Sequence, residues 1–91
     1  MKLDIIVSNK FRKDLRLAKK RGLPLAKLEK VVDLLAAELP LEAKYRDHAL
    51  SGNYADFREC HIAPDWLLIY RQETDALVLF LVRTGSHSDL F

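Results

Sequence analysis

Halfway along the chain the apolar spacing changes period, and this change limits the fold more than any other feature. Leu25, Leu28, Val32, Leu35 and Leu39 recur every three or four residues, the spacing of one helical stripe. Beyond residue 56 the pattern becomes short apolar segments, Phe57–Ile62, Trp66–Gln72 and Leu77–Arg83, separated by Ala63-Pro64-Asp65 and Glu73-Thr74-Asp75. Such segments with short polar breaks predict an antiparallel meander. Helices first and a meander afterwards predict an α+β domain with the sheet packed on the helices.

The first forty residues complete this outline. Lys2–Val7 is a short β-prone stretch. Ser8 or Asn9 then suits a helix N-cap, and Phe11, Leu15 and Ala18 follow at helical spacing. Gly22 supplies a helix stop and Pro24 suits the first turn of the next helix, so the two helices are expected to form a hairpin that ends at Pro40. Residues 41–56 read as an irregular connection carrying His48, long enough to be functional. At 91 residues, with no internal repeat or low-complexity linker, the chain is expected to be one domain spanning residues 1–91.

Charge and cysteine content narrow the function. The net charge is only +2, yet eight of the fifteen Lys and Arg residues fall within residues 1–21, against Asp4 and Asp14. A positive face of this kind attracts polyanions, among which nucleic acid is the commonest in a cell. There is no leader-like segment and no apolar run near the ~20 residues that span a bilayer, so a cytoplasmic protein with no membrane role is expected. Cys60 is the single cysteine, which excludes an internal disulfide and the zinc spacings, and it reads as a small buried hydrophobe.

The residues able to do chemistry fall late in the chain. Alternation along the first meander strand sends Arg58, Cys60 and Ile62 to one face and Phe57, Glu59 and His61 to the other. In a regular meander the end of this strand, the start of the next and the end of the third share one edge. That places His61, Asp65, Trp66, Arg83 and the tail Arg83-Thr84-Gly85-Ser86-His87-Ser88-Asp89-Leu90-Phe91 together, with His48 free to join from the preceding loop.

This inventory suits cleavage of RNA without a metal. A base removes the ribose 2′-proton, the oxygen attacks phosphorus, an acid protonates the departing 5′-oxygen, and a cation stabilises the phosphorane. Histidine serves as acid or base near neutral pH, and arginine offers a fork matched to phosphate oxygens. Trp66 and Phe91 are aromatic candidates for stacking on unpaired bases, although Trp66 equally suits a core position.

Three stretches, Tyr45–Gly52, Arg58–Tyr70 and Arg83–Phe91, resemble the YafQ-like branch of the RelE/ParE toxin superfamily. The order strand, two helices, three-stranded meander is also that family's, so the resemblance covers nearly the whole chain. It implies a toxin of a type II toxin–antitoxin system, a ribosome-dependent endoribonuclease that cuts mRNA in the ribosomal A site and leaves a 2′,3′-cyclic phosphate and a 5′-hydroxyl. His48, His61, Asp65 and His87 correspond to the acid/base set, with His87 as general acid and the base shared among the others. Arg83 corresponds to the phosphate contact, and Trp66 and Phe91 to positions supporting or stacking on the substrate. No metal or organic cofactor is implied. The implied partners are a cognate antitoxin, in a hetero-oligomer, and the 70S ribosome with its mRNA and ribosomal RNA. Two other readings are a ParE-like toxin that binds DNA gyrase, against which the three histidines argue, and a small basic nucleic-acid-binding module.

Overall fold

Ser8 starts the helical half as the spacing requires: its Oγ accepts from the Phe11 N–H at 2.9 Å. The computed structural model describes residues 2–91, in the order β1 (Asp4–Val7), α1 (Asn9–Lys20), α2 (Leu25–Ala36), β2 (His48–Ala49), β3 (Arg58–Ala63), β4 (Trp66–Glu73), β5 (Val78–Gly85) and α3 (His87–Leu90). Helix α1 closes with Gly22 at φ +75°, where the Leu23 N–H reaches the Ala18 carbonyl and the Gly22 N–H that of Lys19.

Helix α2 stops earlier than its apolar stripe suggests. The same closure forms there without a glycine: Leu39 N–H donates to Leu34 O and Glu38 N–H to Leu35 O, with Glu38 at φ 57°. Leu39 therefore lies beyond the helix, 53% exposed, and Pro40 is not what ends it. Among the described residues no helix is long and apolar enough to cross a membrane.

The strands form one sheet in the order β1-β5-β4-β3-β2. Strands β3, β4 and β5 are the expected meander, with boundaries shifted by one or two residues. Strand β1 pairs parallel to β5, which the long connection between them, through both helices and the other three strands, allows. The stretch 41–56, expected to be irregular, contributes a fifth strand: His48 pairs with Glu59 and Ala49 with Arg58. A two-residue strand carries no periodicity and leaves no sequence signal. It is flanked by single 3₁₀ turns at Ala43–Tyr45 and Gly52–Tyr54.

Both faces of the central strands are covered, in keeping with their continuous apolar runs. On one face Cys60, Ile62, Leu68, Tyr70, Leu79 and Leu81 pack with residues of the helices, among them Phe11, Leu28, Val31 and Leu35. On the other, Leu67 and Ile69 meet Leu90 of α3, with Leu50, Tyr54, Phe57 and Val82 packed around them. This second, thinner layer carries the histidines.

Candidate active site

Strand pairing sets His48 opposite Glu59, and His61 follows two residues later on the same face. The His48 and His61 ring centroids are 6.3 Å apart, and those of His61 and His87 are 5.8 Å apart. The three imidazoles thus form a continuous row across β2, β3 and the chain end. Residues 39 positions apart in sequence meet because β2 adds to the sheet and α3 folds back over it.

Two of the rings are fixed by their Nδ1 atoms. His48 Nδ1 lies 2.6 Å from the Arg46 carbonyl, which can only accept, so Nδ1 carries the proton. Arg46 adopts φ 48° at the end of the first 3₁₀ turn, and this backbone turn presents the carbonyl. His87 Nδ1 lies 2.9 Å from Asp65 Oδ1, which also accepts the His87 backbone N–H at 3.0 Å. These two donors hold the Asp65 carboxyl below its usual range. In both histidines Nε2 is left as the nitrogen able to exchange a proton.

A carboxylate to which alternation gave a face but no role sits beneath the row. Glu59 is only 5% exposed, and its Oε1 lies 3.5 Å from His48 Nε2 and 3.7 Å from His61 Nε2. Its Oε2 is buried with no hydrogen-bond partner among the described residues. A buried carboxylate is costly unless donors or positive charge face it, and the two imidazole Nε2 atoms are the groups that stand nearest to Glu59 Oε1. The sequence signal was the alternation itself, which put Glu59 on the His61 side.

The tail bearing His87 is held at several points. Ser86 and Asp89 form a reciprocal capping box around α3. Arg21, at the end of α1, donates to both Asp89 oxygens, at 2.7 and 3.3 Å, and with Ser86 it holds the Asp89 carboxyl well below the usual carboxylate range. Gly85 makes the close turn possible, because a Cβ there would sit 3.0 Å from the Asp89 side chain.

Arg83 reaches this face one register row further in. Glu59 pairs with Ile69 and Ile69 with Arg83, so Arg83 stands two strands from Glu59, roughly 10 Å at ordinary strand spacing. Its Nε and one terminal nitrogen donate to Asp14 at 2.7 and 3.1 Å. Asp14 also accepts the Thr84 N–H at 3.1 Å, satisfying the β5 edge beyond the last β1 residue. Arg83 therefore enters the site already paired with a carboxylate.

The two aromatics part company. Trp66 corrects the stacking expectation: it is 3% exposed in the helix-side core, and its Nε1–H donates to Thr84 Oγ1 at 2.9 Å, which in turn donates to the Leu67 carbonyl. Its large apolar surface and single donor are both satisfied inside, so it supports the floor and has no face open to a base. Phe91 is 63% exposed and stands edge-on to Tyr54, with ring centroids 5.9 Å apart. Tyr54 escaped the sequence analysis, for no spacing rule links a loop tyrosine to the chain end.

Among the described residues no three His, Cys, Asp or Glu side chains converge as a metal-holding set. The Nε2 atoms left open by the Nδ1 contacts of His48 and His87 are suited to proton transfer, and Arg83 and Phe91 border the row with charge and an aromatic face.

Known proteins share this fold. The model of the YafQ family, bacterial toxins of type II toxin–antitoxin systems, matches residues 3–91. The mRNA interferase toxin YafQ of Escherichia coli K12 is 45% identical over 89 residues, covering 97% of this chain and 95% of that protein. A metal-bound toxin from Helicobacter pylori superposes with a TM-score of 0.92 at 54% identity, covering 98% of this chain and 99% of the other. The toxin in the E. coli DinJ–YafQ toxin–antitoxin complex superposes with a TM-score of 0.90 at 41% identity, covering 100% of this chain and 99% of that one.

Proposed function

The chain belongs to the YafQ family of type II toxin–antitoxin toxins, and from that premise we propose that it is an endoribonuclease that cuts mRNA in the ribosomal A site. The observation that carries this reading is the row His48, His61 and His87, with Nδ1 of the outer two tied to oxygen acceptors. That arrangement leaves Nε2 of both outer imidazoles as the nitrogen able to exchange a proton, as a paired acid and base require.

In this reading His87 Nε2 protonates the departing 5′-oxygen, with Asp65 fixing the ring. His48 or His61 removes the 2′-proton, and Glu59 stabilises the imidazolium that results. The products are a 2′,3′-cyclic phosphate and a 5′-hydroxyl, with no step assigned to a metal. Arg83 stabilises the doubly charged phosphorane by exchanging part of its Asp14 contact for phosphate oxygens. Phe91 stacks on a substrate base, and Trp66 keeps the floor rigid. The ribosome supplies the in-line geometry, which accounts for the basic α1 as a guide toward ribosomal RNA. A cognate antitoxin holds the toxin inactive in a hetero-oligomer.

The test is a primer-extension map of mRNA in a purified translation reaction, with wild type and His87→Ala, with and without ribosomes. Cuts in frame with codons that need both ribosomes and His87 are expected. A folded wild type that makes no cuts would sink the reading and direct attention to gyrase inhibition.

A further inference from the structure

Next to the histidine row, between α2 and the end of β3, lies a cleft of about 520 Å³ that the proposed cleavage chemistry leaves unused. Lys27 and Lys30, three residues apart on α2, face it from one side, and Lys44 and Arg46 from the other. Ile62 and Pro64 supply apolar lining, and His61 is a wall shared with the histidine row. All four cations are exposed. Among the described residues Lys27, Lys30 and Arg46 have no carboxylate within 4.0 Å, and Lys44 reaches Glu42 only at 3.9 Å. Four like charges around one concavity repel one another and concentrate anions.

The cleft is also coupled mechanically to the site. Arg46 takes a left-handed backbone, φ 48°, which an arginine adopts at some cost. That backbone turn gives His48 its Nδ1 acceptor while Arg46 lines the cleft. One residue therefore links the basic rim to an imidazole of the row.

We propose that this cleft binds the RNA strand on one side of the bond that is cut, with phosphates on the Lys27, Lys30, Lys44 and Arg46 rim and a sugar or base against Ile62 and Pro64. The inference rests on the ribonuclease reading for the identity of the strand. The chemistry fits: arginine forks and lysine point charges take phosphate oxygens, and an apolar floor takes a ring without reading its sequence. A ribosomal RNA strand presents the same phosphates, so the test separates the two.

The experiment uses the full chain carrying His87→Ala, which leaves RNA intact and so makes the result independent of cleavage. A single-stranded RNA hexamer is titrated while amide shifts and affinity are followed. The expected result is shifts at Lys44, Arg46, Ile62 and Ala63 together with the histidine face. Replacing Lys27, Lys30 and Lys44 by Ala should weaken binding by about tenfold and lower the salt slope by about 2, since each phosphate left without its lysine removes about 0.7. Replacing Lys10, Lys13 and Lys20 on α1 by Ala should weaken it by no more than about twofold. Equal losses in the two triple variants, or no shifts in the cleft, would overturn the inference. So would a cleft variant that binds the hexamer normally but no longer sediments with 70S ribosomes, since the cleft would then serve ribosomal RNA.

Discussion

Asp65 Oδ1 accepts both the backbone N–H and the Nδ1–H of His87, at 3.0 and 2.9 Å, so one exposed carboxylate sets the position and the tautomer of the final histidine. Both donors favour the ionised acid and hold its carboxyl below the usual range. A depressed acid contributes its contact fully above the unfolded value, near ~3.9, and loses it as pH falls through the lower folded value. The His87 amide shift should therefore move in a step below about pH 4, and Asp65→Asn should abolish that step in an NMR titration. The same variant should lower cleavage, by less than the roughly 10²–10⁴ expected for losing the general acid itself.

Glu59 buries a carboxylate oxygen with no partner among the described residues, an arrangement that favours function over stability. Glu59→Gln keeps the shape and removes the charge. Its stability in urea should stay within about 1 kcal/mol of wild type or rise, while cleavage falls because the imidazolium loses its counter-charge. A loss of stability larger than the loss of activity would contradict this role.

Trp66 is the only tryptophan and is buried. Its emission should be that of an apolar environment, unchanged by added RNA, and should shift red only on unfolding. Trp66→Ala should cost about 3–5 kcal/mol in urea denaturation, and Thr84→Val about 1–3 kcal/mol by stranding the indole N–H. Quenching of the native emission by RNA would restore the stacking role.

Asp14 holds both Arg83 and the Thr84 N–H. Asp14→Ala should destabilise the chain by about 1–3 kcal/mol, since a partly buried backbone donor loses its acceptor. Arg83→Lys keeps the charge but loses the fork, and should reduce cleavage with a smaller change in stability. Urea denaturation and cleavage assays on both variants separate the two roles of this pair.

Burial pushes the Cys60 thiol up to about 12, so it stays protonated across the ordinary pH range. A thiol reagent at pH 8 should leave the native chain unlabelled, and labelling should follow the unfolding rate. Fast native labelling would mean that the β3 face next to α2 opens locally.

The helical stripe of Leu28, Val32 and Leu35, the meander beyond residue 56 and the opposite facing of Cys60 and His61 were legible because each follows from a local period. The stop of α2 at Ala36 was not, because Glu38 adopts the left-handed turn without glycine and only the backbone bonds reveal it. His61, Asp65 and the tail could be brought to one sheet edge from strand direction alone. Their partners could not: the β2 pairing that seats His48 over Glu59, the Asp14 carboxylate that claims Arg83 and the Arg21–Asp89 clasp join residues far apart in sequence. Sequence by itself determined the two helices, the meander strands, the positive charge and the chemical inventory, since these depend on residue type and spacing along one chain. Tertiary structure alone decided which imidazole meets which carboxylate and that Trp66 is floor and Phe91 open surface, because burial and pairing depend on what packs from elsewhere.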